Sequence, residues 1–264
     1  MRIARLCCLL LLAGSSLAAQ AKMVHRPVEW TQDGTRFHSV LVYDDASTSK
    51  RPGLVMVPNW YGINDAAVKK AEMIAGKDYV ILLTDMYGAG VRPQQGNADQ
   101  AQAAVKPLYG DRALMRKRIN LALDQLKVQA AGAPLDASKL AAIGFCFGGS
   151  AVLDLARSGA DVAAVVSFHG GLDTDNPALA KNIKARVLAM NGADDKGTMP
   201  DADKFMDEMR MSPADWQFVV LGHAVHCFTE VGENSTGCRY DERAATRSYR
   251  LMHDWLRAAF AGTP

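Results

Sequence analysis

The chain has 264 residues, 49% of them hydrophobic, with 30 basic and 28 acidic side chains and a formal net charge of +2. That size and balance suit one domain with a large core. They exclude a disordered chain, and the dispersed basic residues, not interleaved with aromatics, exclude a nucleic-acid-binding surface of ordinary design.

The first 21 residues stand apart. Arg2 and Arg5 precede the apolar run Leu6 to Ala13, and small residues follow up to Ala19-Gln20-Ala21. A basic start, a short apolar run and an A-x-A site predict a cleavable secretory signal over 1–21. The competing reading is an uncleaved amphipathic anchor, but the run is short for a bilayer span. Cys7 and Cys8 lie inside it, which argues against a lipoprotein site. Cleavage removes two arginines and no acid, bringing the net charge to 0. The expectation is a mature single domain over 22–264, secreted to a bacterial periplasm with no stable membrane anchor. Three cysteines then remain, Cys146, Cys227 and Cys238. An odd number in an oxidising compartment leaves one thiol over. Cys227 and Cys238 bracket the polar stretch Thr229 to Gly237, so they are expected to pair and leave Cys146 free.

Val28 to Trp30 and Phe37 to Tyr43, around Thr31-Gln32-Asp33-Gly34, predict an antiparallel hairpin. Gly53 to Val57 is an apolar run of buried-strand type; a helix over Asn64 to Gly76 and a strand over Tyr79 to Thr84 follow. Helical spacing recurs over Gln95 to Lys106 and Asp111 to Ala131. Then come strand Leu140 to Phe145, helix Ser150 to Ser158, and strands Val162 to Phe168 and Ala185 to Met190. Helix Pro200 to Met211, strand Trp216 to Leu221 and helix Asp241 to Phe260 close the chain. Strands alternating with helices predict an α/β fold: a mainly parallel sheet with an N-terminal hairpin and helices on both faces. Ligands in such folds bind at the carboxyl ends of the strands.

Gly144-Phe145-Cys146-Phe147-Gly148-Gly149 is the sharpest chemical signal. A strand, a glycine turn and a helix place one reactive side chain at an apex, the layout of the nucleophile elbow of α/β-hydrolases with cysteine in place of serine. The positive end of the helix favours the thiolate, the nucleophilic form. A buried structural cysteine in a glycine-rich turn is the competing reading. After the nucleophile such enzymes supply an acid and then a histidine. Here Asp194 and Asp195 follow one strand, and His223 and His226 follow the next.

From about Gly53 to the terminal helix the chain resembles the dienelactone hydrolases (carboxymethylenebutenolidases). Besides the elbow, the matching segments are Trp60-Tyr61-Gly62-Ile63-Asn64, Asp85-Met86-Tyr87-Gly88 and Ser167-Phe168-His169-Gly170-Gly171. Asn191 to Asp195 and Ala224 to Thr229 complete the set. The resemblance implies Cys146 as nucleophile, Asp195 rather than Asp194 as acid, and His226 rather than His223 as base. It also implies an oxyanion hole formed by the backbone N–H groups of Trp60 and Phe147. Asn59, Tyr61, Tyr87 and His169 are expected to line the substrate pocket. For His169 the competing reading is a ring satisfied by backbone hydrogen bonds.

Two positions depart from the family's pattern. Where the family carries a glutamate held to govern cysteine ionisation, this chain has Asn59, whose amide cannot accept the thiol proton. Where the family holds a substrate carboxylate with an arginine soon after the histidine, no arginine precedes Arg239; Arg92 and Arg112 are the candidates from elsewhere. The expected substrate is therefore a small ester or lactone other than dienelactone, cleaved through a thioester acyl-enzyme with no metal or organic cofactor. The competing function is a small-molecule-binding protein on the same fold with little or no turnover. A redox role for Cys227 and Cys238 is a third reading, disfavoured by a spacing far from Cys-x-x-Cys.

Overall fold

The computed structural model describes residues 22–263; the signal expected over 1–21 lies outside the described residues. Strand β1 (Met23–Gln32) turns at Asp33-Gly34 into β2 (Thr35–Asp44). Both are longer than the apolar stretches alone suggest, because polar residues alternate along the hairpin's open face and still pair over ten registers. After β3 (Arg51–Val57), helix α1 (Asp65–Ala75) is closed at its start by the Asn64 side chain, which accepts from the Ala67 amide. It ends at Gly76, whose positive φ releases the chain toward β4 (Val80–Leu83).

Helices α2 (Ala98–Gly110) and α3 (Arg112–Val128) follow, with the Asp111 side chain capping the second. Next come β5 (Leu135–Phe145), α4 (Phe147–Arg157), β6 (Ala164–Phe168) and β7 (Arg186–Gly192). Helix α5 (Ala202–Arg210), β8 (Trp216–Leu221) and α6 (Glu242–Ala261) complete the order. β5 begins five residues before the expected Leu140. Leu135-Asp136 already pair with Arg51-Pro52, and a register shift then resets the ladder at Gly53 and Leu140.

The eight strands form one sheet in the order β1-β2-β4-β3-β5-β6-β7-β8. The hairpin joins β4 antiparallel, and every pair from β4 to β8 is parallel. Side chains alternate between two cores. Leu54 and Met56 face α1 and α6, whereas Val55 and Val57 face the side covered by α2, α3, α4 and α5. The chain runs outward from β3 to β4 and then returns to β5 on the other side of β3. That reversal opens a crevice at the carboxyl ends of β3 and β5, where ligands of such sheets bind.

Candidate active site

Cys146 sits at the tip of β5 with φ +53°, a conformation that costs a non-glycine residue energy and persists only when its surroundings hold it. The glycines make the tight fit possible. A Cβ on Gly144 would stand 2.0 Å from the Gly148 carbonyl oxygen, and one on Gly148 would stand 2.1 Å from the Val57 carbonyl oxygen. Strand, elbow and helix therefore interlock at backbone distance. Cys146 also begins α4, so its sulfur lies at the positive end of an eleven-residue helix.

The structure brings three distant side chains into one hydrogen-bonded series. His226 Nε2 lies 3.1 Å from Cys146 Sγ, and His226 Nδ1 lies 2.7 Å from Asp195 Oδ2. Asp195 is itself fixed: the amides of Gly197 and Thr198 donate to Oδ1, and the Thr198 hydroxyl donates to Oδ2 at 2.8 Å. That turn separates the two candidate carboxylates. Asp195 is buried within it, while Asp194 is exposed at the mouth of the cavity. His223 points to solvent.

Electrostatics follow from this packing. Burial works against a charged His226, but the Cys146 sulfur and the Asp195 carboxylate outweigh it and raise the imidazole to about 10. Burial likewise opposes a charged Asp195, yet the His226, Thr198 and Gly197 hydrogen bonds hold it below the ordinary range.

The backbone N–H groups of Trp60 and Phe147 donate no hydrogen bond among the described residues. The Trp60 peptide is held on both sides. Asn59 Oδ1 accepts from the Tyr61 amide at 3.0 Å, the Asn59 carbonyl accepts from Gly62, and the Tyr87 hydroxyl donates to the Trp60 carbonyl at 3.0 Å.

A cavity of about 640 Å³ opens beside Cys146, walled by Tyr109, Asp173, Asp194, Lys196, Val225 and Thr236 along with Asp195 and His226. None of the four residues expected in the pocket lines it. Tyr61 and Tyr87 are buried as supports of the Trp60 turn. His169 is fully buried: its Nδ1 accepts from the Cys146 amide at 3.1 Å and its Nε2 donates to Thr229 Oγ1 at 2.7 Å. Asn59 faces another cavity, of about 840 Å³, which also touches Lys70, Phe145, Glu230 and Tyr249. Polar side chains on the segments leaving the strands are here consumed by internal hydrogen bonds. Apart from Cys146, Asp195 and His226, the residues that do line the cavity come from α2 and from the segments after β6, β7 and β8, and of these only Asp194 is a candidate site residue in the sequence.

The Cys227–Cys238 disulfide is present and Cys146 is free. The bridge joins cysteines 11 positions apart and closes a loop that begins beside His226 and carries Thr236 and Gly237 to the cavity. Neither arginine offered as a substrate anchor is available. Arg112 is buried and bidentate to Asp154, with Asp173 3.6 Å from its remaining nitrogen, and Arg92 binds Asp85 at 2.9 Å. Among the described residues no group of three or more His, Cys, Asp or Glu is placed to hold a metal, and no helix is long and apolar enough to cross a membrane.

A doubly covered parallel sheet carrying a strained residue at a strand-to-helix turn, followed by an acid and a histidine, defines an α/β-hydrolase. The family model "Dienelactone hydrolase family" matches residues 37–260, and the chain belongs to that family. It is a hydrolase of carboxylic ester or lactone bonds. Among solved structures, a dienelactone hydrolase-like promiscuous phosphotriesterase, P91, from metagenomic libraries is 38% identical with a TM-score of 0.82. The match covers 90% of this chain and 99% of that one. A protein of Bradyrhizobium sp named "Probable 2-oxo-3-(5-oxofuran-2-ylidene)propanoate lactonase" is 29% identical, over 77% of this chain and 84% of its own. An uncharacterised protein of Caenorhabditis elegans is 34% identical, over 56% of this chain and 95% of its own.

Proposed function

We propose that the chain is an exported hydrolase that cleaves a small uncharged ester or lactone through Cys146, His226 and Asp195. The observation that carries this reading is the unbroken series from the Cys146 sulfur through His226 to a fixed Asp195 at a cavity wall.

In the first half-reaction the Cys146 sulfur, its proton held by His226 Nε2, attacks the carbonyl carbon and a C–S bond forms. The carbonyl electrons move to oxygen, and the free amides of Trp60 and Phe147 are the donors proposed to receive the oxyanion. As the intermediate collapses, the bond to the leaving oxygen breaks and His226 delivers the proton to it. The product is a thioester on Cys146; for a lactone its acyl chain is the opened ring and carries the released hydroxyl. Water then attacks the thioester with His226 as base, and the acid leaves as the sulfur regains its electron pair. Asp195 fixes the ring through Nδ1, so that Nε2 alone faces the sulfur.

The charge around the cavity supports an uncharged substrate. Asp173 and Asp194 outnumber Lys196, and among the described residues no free arginine stands there. The Bradyrhizobium relative is named for a propanoate, a carboxylate-bearing compound; here that carboxylate would meet two of its own sign. Export is supported by the leader sequence and by the disulfide, which persists in oxidising compartments.

The test is Cys146→Ala. Hydrolysis of an activated aryl ester is expected to fall by at least about a thousandfold with unchanged circular dichroism. Wild-type turnover in that variant would refute the proposal.

A further inference from the structure

The elbow and the Trp60 turn come from different strands, yet both lead to one side chain. Glu230 lies four residues beyond His226 and is buried. Its Oε1 pairs with Lys70 Nζ at 2.5 Å and accepts from the Thr229 hydroxyl at 3.3 Å, while its Oε2 accepts from Asn59 Nδ2 at 2.8 Å. Lys70 is seated over the Phe145 ring, 4.2 Å from its centroid, so the cation is itself held in place.

Proton counting fixes the direction of each bond. The Thr229 hydroxyl has one hydrogen, and it goes to Glu230; the oxygen must therefore accept from His169 Nε2–H. That leaves His169 Nδ1 with a lone pair, the form required to accept from the Cys146 amide. Burial, reinforced by the positive charges of His226 and Lys70, holds His169 well below the ordinary histidine value and so in this neutral state. A second branch runs from Glu230 to Asn59, whose other amide atom holds the Tyr61 N–H and so shapes the turn carrying the Trp60 amide.

We propose that Glu230 is a positioning residue that fixes the Trp60 turn and the Cys146 elbow relative to each other. One branch runs through Asn59 and the other through Thr229 and His169. The proposal rests on the hydrolase reading above, because the two segments it ties together carry the two donors for the oxyanion. Glu230 touches neither sulfur nor substrate. Its effect is to keep both amides aimed at one point as charge develops there, where small misplacements reduce rate more than binding.

The experiment compares the wild type with Glu230→Ala, Glu230→Gln and the near-isosteric Thr229→Val, using two readouts. One is kcat and KM for an aryl acetate. The other is the rate of Cys146 alkylation by iodoacetamide, which needs the sulfur and His226 but no oxyanion hole. Glu230→Ala and Thr229→Val are expected to lower kcat about ten- to a hundredfold while KM stays within about threefold and alkylation within about twofold. Glu230→Gln, which can still accept from Asn59, should recover part of kcat. Unchanged kcat in both Glu230→Ala and Thr229→Val would overturn the proposal. So would a parallel fall of kcat and alkylation, which marks general loosening. A wild type that alkylates rapidly but turns over no ester would overturn the hydrolase reading and this inference with it.

Discussion

His226 Nε2 meets the Cys146 sulfur at 3.1 Å across 80 positions of sequence, with the ring's other nitrogen committed to Asp195. The contact matters because an imidazole raised to about 10 stays cationic at neutral pH, and its first source of favourable charge is the sulfur beside it. The ring is thus held between the sulfur and a fixed carboxylate before any substrate arrives.

Thiol reactivity should report that arrangement. At pH 7, iodoacetamide is expected to modify wild-type Cys146 at least about tenfold faster than an ordinary thiol of pKa about 8.5. His226→Gln should abolish the excess. Alkylation kinetics read by intact mass give both rates, and a slow wild-type thiol would contradict the pairing.

The same pair sets a pH window for stability. His226 has a folded-state pKa raised above its ordinary value of 6.5, so its contribution is complete below about 6.5 and is lost as pH rises through about 10. The stability gap between wild type and His226→Gln should therefore be wide near pH 6.5 and narrow by pH 10.5. Urea unfolding at the two pH values measures it. A gap that widens with pH would show the sign to be wrong.

Reducing the Cys227–Cys238 bridge, or replacing both residues with alanine, should destabilise the protein by about 3 kcal/mol, the chain-entropy value for a loop of this length. Because the loop begins beside His226 and carries Thr236 to the cavity, KM should rise as well. Thermal melts and steady-state kinetics with and without reductant check both effects.

Asp173→Asn should shift substrate preference. The substitution removes a carboxylate from the cavity wall, one whose Oδ2 lies 3.6 Å from Arg112 Nη1, while Arg112 keeps its bidentate pair with Asp154. The ratio of kcat/KM for a carboxylate-bearing aryl ester over a neutral one should rise about three- to tenfold, and high salt should shrink the gain. An unchanged ratio would remove Asp173 from the account of specificity.

Much of the architecture is legible in the sequence because its signals are local. Asn64 and Gly76 bracket α1 through a side-chain cap and a positive φ. The glycines of the elbow announce backbone crowding that the structure shows directly. The order of Cys146, Asp195 and His226 can also be read, but their distances cannot. Even the preference for Asp195 becomes physical only in the turn through Gly197 and Thr198, where its carboxylate is held.

The pocket was illegible for the opposite reason. Asn59, Tyr87 and His169 sit on the right loops, yet each is turned inward by a partner far away in sequence. Glu230 gives no local sign of its role, since Lys70 and Asn59 lie 160 and 171 positions from it. Asn59, a departure from the family's pattern when read singly, is bonded to Glu230 in the fold.

The central claim is covalent: the acyl group passes through the Cys146 sulfur. The direct measurement is acid quenching of wild-type enzyme during turnover of an activated aryl ester, followed by peptide mass spectrometry. The predicted result is an acyl adduct on the peptide containing Cys146, released by hydroxylamine as a thioester should be and absent in Cys146→Ala. An adduct on another residue, with Cys146 unmodified while ester is consumed, would contradict the account.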